Sequence, residues 1–397
     1  MSAARRPPLF TGWEGRPLAA ALELARELLA DTTYPTVERW RERGGKVLGH
    51  FQVYFPEEIA HAAGMLPFKV RGAPLEPRRA DSRFGSYLCS ILRTSLELAL
   101  DRRVELDLFV APPICDAARN LAAVWGRNVA YPTRVLCLPQ HPDSDYALGF
   151  LCGEYERLRR EIEAVAGREV TAADLRAAIV VFNRNRALLR RLYALKRERP
   201  WLLPVEEWWV LCALGGILPR GEHNRFLAAV LPLVEARPAR PLDRLRVVFV
   251  GGFCEQPPLD LLALVSRSCY VVEDDLLVGL RFLEQPVPEV GEPLMALAGA
   301  YLQGAGWSPV QHDPRKPKEQ MLRAQIQRSG AAAAILTAAK MCEPGLEDQV
   351  ALAAALEADG VPYFLSEFEE NMTSFDHLEL QLETFVENLL FDDAARA

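Results

Sequence analysis

Short, uninterrupted apolar runs alternate with helical stretches along most of this chain, and no feature constrains its fold more. Residues 47–55, 66–70, 106–111 and 133–138 read as strands in the first half. Residues 246–250, 269–272, 332–337 and 362–365 read as strands in the second. A strand that is apolar along its whole length is buried on both faces, as in parallel sheets covered by helices. Helical spacing of apolar residues falls at 18–29, 87–100, 154–165, 172–195 and 375–390. Pro56-Glu57-Glu58 opens another helix, with Pro in its first turn and acids near its positive end, and Gly64 stops it.

The expected fold is therefore α/β: two Rossmann- or flavodoxin-like parallel-sheet domains with an N-terminal helical arm and a helical middle segment. The arm is expected over residues 1–45, the first α/β domain with its helical segment over 46–235, and the second over 236–397. The Pro-rich text at 232–241 reads as the linker. The halves share a crude plan but no clean repeat.

With 397 residues, half of them apolar and 25% charged, the chain is an ordinary globular protein. A fold of this size buries roughly 75% of its unfolded surface and needs no disulfide staple. Its 46 basic residues against 53 acidic ones, a net charge of −7, argue against a nucleic-acid partner. Met1-Ser2-Ala3-Ala4-Arg5-Arg6-Pro7-Pro8 has no apolar stretch after its basic pair, so no secretory signal is expected. No run of 18 apolar residues is present, so no membrane span is expected. The expected setting is a reducing cytoplasm, where cysteines are free thiols, nucleophiles or metal ligands.

Eight cysteines then raise the question of which do chemistry. Cys115, Cys254 and Cys342 each follow a strand and precede a helical stretch, and Cys89 lies at the start of the helix at 87–100. Ligands of open parallel sheets bind beyond the carboxyl ends of the strands. A helix N-terminus there favours thiolate, the form that ligates metal. Cys137 and Cys269 fall in apolar strand runs, and Cys152 and Cys212 in apolar helical text, so core packing is their expected role. Cys89, Cys115 and Cys342 are 26 and 227 residues apart and no CxxC pair is present, so spacing alone favours buried thiols over a metal site.

Other motifs are missing. There is no GxxxxGK[ST] phosphate loop, no GxGxxG after a strand, no GxSxG elbow and no HExxH. Gly251-Gly252 reads as a plain turn. His50 and His61 flank one strand-turn-helix and read as surface or capping residues.

Six stretches in order nevertheless resemble one family. They are Tyr54-Phe55-Pro56-Glu57-Glu58-Ile59-Ala60-His61 through Gly64-Met65-Leu66-Pro67; Cys89 with Arg93, then Cys115-Asp116; Asn183 to Arg186; Gly251-Gly252-Phe253-Cys254-Glu255-Gln256-Pro257-Pro258 through Val272-Glu273-Asp274-Asp275-Leu276 and Gly279-Leu280-Arg281; Cys342-Glu343-Pro344-Gly345; and Glu369-Glu370-Asn371-Met372-Thr373 through Gln381-Leu382-Glu383-Thr384-Phe385. Together they resemble the 2-hydroxyacyl-CoA dehydratase and benzoyl-CoA reductase family. The ending resembles the reductase branch, in particular its smaller, C-type subunit, which bears a cluster. Dehydratase subunits more often place an arginine where Leu382 stands.

The resemblance implies a [4Fe-4S] cluster held by Cys89, Cys115 and Cys342, with one iron left open. It implies two related cluster-bearing subunits and a separate ATPase activator that delivers low-potential electrons, which suits the missing phosphate loop. The substrate would be an acyl-CoA. The reductase branch makes a cyclic dienoyl-CoA from an aromatic one, and the dehydratase branch expels a 2-hydroxyl through a ketyl radical. A third reading is a non-catalytic electron relay whose paralogue holds the substrate.

Within that frame, Glu57 and Glu58 are candidates to donate a proton or touch the acyl group, although acids in a first turn explain them too. Asp116 could orient Cys115 or cap a helix. Arg93 could meet CoA phosphate or stay solvated, and the arginine-dense stretch at 184–199 reads as a solvated face that could hold the ADP part of CoA or dock the activator. Cys254 is a possible extra ligand, and Asp274-Asp275 has no assigned chemistry.

Overall fold

A computed structural model describes residues 7–51, 54–85 and 87–396. All eight expected strands are present: β1 (Val47–His50), β2 (Leu66–Lys69), β3 (Leu108–Ala111), β4 (Thr133–Val135), β5 (Leu245–Val250), β6 (Cys269–Asp274), β7 (Ala333–Ala339) and β8 (Tyr363–Phe368). They form two four-stranded sheets, ordered β2-β1-β3-β4 and β6-β5-β7-β8, and every pairing is parallel. The crude likeness between the halves is thus a shared strand order. In each sheet the order reverses beside the first strand, between β1 and β3 and between β5 and β7. Those reversals are where an open α/β sheet leaves a crevice for ligand.

The middle segment is helical: Ala147–Ala166, Ala172–Glu198, Val205–Ala213 and Arg220–Glu235. Thr171 and Asp174 cap the longest of these reciprocally, each side chain accepting the other's backbone N–H. The N-terminal helices Leu18–Ala30 and Pro35–Glu42 bury Ala21, Leu22, Ala25 and Val37. One continuous apolar core joins Val47, Phe68 and Phe109 of the first sheet, through Leu192, Leu195 and Trp208, to Val247, Phe249 and Ile335 of the second.

Two expectations need correction. The stretch at 232–241 is not all linker, because the helix Arg220–Glu235 runs through Pro232. Val230 and Val234 stay buried on its inner face, and that packing outweighs the hydrogen bond Pro232 cannot donate. Strands β1 and β4 are also shorter than their apolar runs. Residues 52 and 53 of the first run lie outside the described residues, as do residues 1–6 of the expected signal-free N-terminus. Among the described residues no helix is long and apolar enough to cross a membrane.

Candidate functional site

Three helices begin on cysteine. Cys89 is the N-cap of Ser90–Leu100, Cys115 of Asp116–Asn128 and Cys342 of Glu343–Ala358. Cys115 caps in the literal sense, its Sγ accepting the Ala118 N–H at 3.4 Å. Cys115 and Cys342 follow β3 and β7, the strands at the two order reversals. Met341 stands just before Cys342 at φ +62°, a conformation a branchless glycine would adopt more easily. Hydrogen bonds on either side hold it there: Lys340 N–H to Phe368 O at 2.9 Å and Cys342 N–H to Ala339 O at 3.1 Å. Backbone strain at this one point aims the cysteine.

Cys254 lies on the turn after β5, and that turn is tied at several points. The Asp275 carboxylate accepts the Gly251 N–H at 2.9 and 3.0 Å and the Gly252 N–H at 2.9 Å. Gln256 donates to Gly252 O at 2.6 Å and accepts the Leu277 N–H at 2.9 Å. Gly251 itself has φ +131°, and a Cβ there would sit 1.6 Å from Thr337 O, so no other residue fits. Asp275 therefore has a role, as anchor of this turn, and burial pushes its carboxyl up to about 6. Asp274 has another: it pairs with the buried Lys196 at 2.8 Å and with Arg281 at 2.6 Å.

Burial dominates the titration of the four cysteines. Burial pushes the Cys89 thiol well up, and Glu255, Cys342 and Cys115 add to the rise. Burial does the same to Cys254, with Cys342, Cys115 and Cys89 adding in that order. Cys342 is pushed up to about 11, by burial first, with the Gly345 N–H pulling back and Cys115 and Glu255 adding. Cys115 also rises, mainly by burial. The thiolate-favouring helix ends are thus outweighed by desolvation. Soft sulfur donors suit iron–sulfur chemistry. Among the described residues, no three His, Cys, Asp or Glu side chains close on a point where a single ion would sit.

Glu255 ties the two sides of this region. Its buried carboxylate accepts the Ile91 N–H at 3.1 Å and the Glu370 N–H at 2.8 Å. Burial pushes it up to about 7. Glu370 rises to about 8, by burial and then by the charge of Glu255, while Arg71 and Thr94 pull it back.

Glu57 and Glu58 are both buried in the first turn of the helix Glu57–Ala62. Glu57 pairs with Arg220 and lies 3.3 Å from His50 Nε2, and Glu58 pairs with Arg186. Burial raises the Glu57 carboxyl, but Arg220 and His50 outweigh it and hold it at about 2. It has no proton to donate at neutral pH. His50 is buried, not a surface residue: it stacks on Phe55 at 4.8 Å, and burial lowers its imidazole. His61 packs edge-on against Phe182.

Several other expectations change. Arg93 is neither solvated nor free for phosphate, because Asp81 takes it bidentately at 2.7 Å. Asp116 is exposed and the capping belongs to Cys115. The stretch at 184–199 is not simply a solvated face: Arg186, Lys196 and Arg197 turn inward to Glu58, Asp274 and Glu273. Asn183 turns in as well, bonded both ways to Val287. Cys212 and Cys269 are core thiols as expected, but Cys137 and Cys152 are only half-buried. Cys137 falls beyond the end of β4, and Cys152 lies at the rim of an apolar cluster.

Sequence reading missed Arg220, His223, Lys69, Glu255 and Glu370. Lys69 carried a signal, a lone charge inside the apolar run at 66–70. Glu255 and Glu370 fall inside two of the resembling stretches but had no role assigned, and Arg220 and His223 gave no signal, since their partners are far away in sequence.

Beside Cys115 and Cys254 lies a cavity of about 40 Å³, lined by Pro112, Pro113, Ile114 and Phe253 and by the aromatic trio Tyr54, Phe282 and Tyr301. The rings of the trio lie 5.1 to 5.7 Å apart. Engineered cavities that take benzene are nearer ~150 Å³.

The fold is a two-sheet α/β protein with Cys115, Cys254 and Cys342 beyond the carboxyl ends of parallel strands. Residues 52–389 match the family described as 2-hydroxyglutaryl-CoA dehydratase, D-component, and the chain belongs to that family. It is similar to the C subunit of benzoyl-CoA reductase from Thauera aromatica, 33% identical over 91% of this chain and 96% of that one. It is also similar to the beta subunit of lactoyl-CoA dehydratase from Anaerotignum propionicum, at 27% over 88% and 93%. The beta subunit of (R)-2-hydroxyglutaryl-CoA dehydratase from Acidaminococcus fermentans is 26% identical over 88% and 94%. These relatives are subunits of reductases and dehydratases of CoA thioesters.

Proposed function

We propose that this chain is the iron–sulfur subunit of a benzoyl-CoA reductase, working with a paralogous cluster-bearing subunit and an ATPase activator in the cytoplasm. The observation that supports the reading is that Cys89, Cys115 and Cys342, drawn from both halves of the chain, are each the N-cap of a helix. The full-length likeness to the C subunit of a reductase supports the branch. Free thiols at all eight cysteines fit a reducing compartment.

Cys89, Cys115 and Cys342 would hold a [4Fe-4S] cluster. When bound, such a cluster stores and passes single low-potential electrons. The chain's own residues do the rest. Phe253, Ile114 and the aromatic trio line an apolar cavity, and a dry surround strengthens every local charge. Glu57 and Glu58 pair with Arg220 and Arg186 and hold them at the wall lined by Tyr54 and Phe282. For Glu57, contact with the acyl group through this wall fits better than proton donation.

The small size of the cavity beside the thiols favours a second reading. In it the paralogous subunit holds the acyl-CoA and this chain relays electrons. Assay of the reconstituted complex tests the function. Conversion of benzoyl-CoA to a cyclic dienoyl-CoA is expected, with no action on (R)-2-hydroxyacyl-CoA. The reverse preference would make the chain a dehydratase subunit.

A further inference from the structure

We propose that a cavity lined by the long helix Ala172–Glu198 is an anion site that takes the diphosphate of a nucleotide-like ligand, either coenzyme A or a free nucleoside diphosphate. The site stands on its own residues, and only its use by coenzyme A rests on the acyl-CoA reading above.

Size and lining are the first argument. The cavity has a volume of about 330 Å³, within the ~300–1,000 Å³ of small-molecule sites. Arg186, Arg190, Arg197, Arg281 and Arg328 line it, against one carboxylate, Glu284.

The carboxylates behind the wall do not neutralise these arginines. Buried Glu273 is shared by Arg328 at 2.8 Å and Arg197 at 3.7 Å, and Arg197 also lies 3.9 Å from the exposed Glu198. Buried Asp274 is shared by Arg281 at 2.6 Å and Lys196 at 2.8 Å. Arg190 is exposed, donates to Glu284 O at 3.1 Å, and meets no carboxylate within ion-pair distance among the described residues. Two buried carboxylates shared by four cations leave N–H donors over. Guanidinium forks match the paired oxygens of a phosphate.

Trp208 is the second and independent argument. It lines the same cavity, is 1% exposed, and its Nε1 has no acceptor. A buried indole N–H is normally paired. Tyr193, whose ring lies 5.3 Å from that of Trp208, already gives its hydroxyl to Glu273 at 2.7 Å. A phosphate oxygen in the cavity supplies the acceptor that the protein does not.

The neighbouring space shows how coenzyme A would lie. A cavity of about 150 Å³ shares Tyr193, Arg281, Glu284 and Arg328 with the first. A third, of about 30 Å³, shares Phe253, Asp275, Trp307 and Pro309 with the second and is lined by Cys254 and Cys342. The arginines cluster at one end of this row, and carboxylates and apolar side chains line the rest. A ligand with an anionic head and a thin neutral arm matches that order. Coenzyme A bound so would point its thioester arm toward Cys342, and this chain would hold the substrate itself.

Isothermal titration calorimetry on the full chain, purified anaerobically, tests the site with coenzyme A, ADP and pantetheine. Coenzyme A and ADP should bind and compete with each other, more weakly as salt rises, and pantetheine, which lacks the diphosphate, should not bind. Arg190→Ala and Arg197→Ala should each weaken binding about tenfold, as for a lost charge-assisted hydrogen bond, and Trp208→Phe should weaken it while keeping the ring. Arg191→Ala should change nothing, because Arg191 lies on the same helix, pairs with Glu235 at 2.8 Å and does not line the cavity. Arg190 is exposed, so its variants keep the fold, which circular dichroism checks. Coenzyme A binding more tightly than ADP would assign the site to the substrate's carrier, and equal affinity would assign it to a free nucleotide; both uphold the anion site. No binding of either ligand, or binding that Arg190→Ala and Arg190→Glu leave unchanged, would overturn it. Iron counted on the same samples reports on the cluster separately, so the two readings fail independently.

Discussion

The Glu255 carboxylate accepts the backbone N–H of Ile91 at 3.1 Å, across 164 residues of sequence. It thereby fixes the turn that carries Cys254 against the helix that Cys89 opens. Its other oxygen takes the Glu370 N–H. Losing this double bridge should loosen the site before it loosens the fold. In Glu255→Ala, iron should be retained less well than in wild type on repeated desalting, with unfolding in urea shifted by about 1–3 kcal/mol, as for a broken set of buried hydrogen bonds. Metal analysis and urea titration check both.

Arg220 and Glu57 form a buried ion pair between the middle helices and the helix Glu57–Ala62. Arg220→Met leaves the buried Glu57 carboxylate without its guanidinium partner and should cost about 3–5 kcal/mol in urea unfolding. Adding Glu57→Gln should recover part of that loss, because the orphaned charge is removed as well.

His223 is fully buried, with Nε2 donating to Leu211 O at 2.8 Å and Nδ1 facing Asn185 Nδ2 at 3.0 Å. Burial, then Arg220, pull its imidazole down to about 3 from an ordinary 6.5. Below 6.5 the unfolded chain takes a proton that the folded chain refuses until about 3. Stability is therefore complete above pH 6.5 and falls as pH drops toward 3. The midpoint of thermal unfolding, followed from pH 7 to pH 4, should fall less steeply in His223→Gln than in wild type.

Two glycines should respond in opposite directions. Gly251→Ala would drive its Cβ into Thr337 O and should unfold the second sheet or destabilise it severely. Gly153, inside the helix Ala147–Ala166, would meet nothing within 4 Å of an added methyl group, so Gly153→Ala should stabilise by about 1 kcal/mol. Thermal melts of the two variants give the contrast.

The eight strands and the helical middle were legible because both depend on local pattern. A parallel strand must be apolar along its length, and a helix must repeat its apolar face. Cys115, Cys254 and Cys342 could be placed beyond strand ends for the same reason, since each follows an apolar run. What pattern cannot carry is pairing at a distance. Arg220 and Glu57 are 163 residues apart, and nothing in either neighbourhood names the other. Arg93 looked free because Asp81 is not at helical spacing from it. Pro232 looked like a break because the burial that holds its helix together is tertiary. The thiol acidity expected from helix ends failed because burial, which only the fold reveals, acts the other way and is larger.

The central claim is that Cys89, Cys115 and Cys342 hold a [4Fe-4S] cluster. Iron counting on anaerobically purified protein tests it most directly. About four irons per chain are expected in wild type and in Cys269→Ala, as one cubane requires, and near none in Cys89→Ala, Cys115→Ala or Cys342→Ala. A colourless wild-type protein without iron, or iron that survives all three alanine variants, would contradict the account.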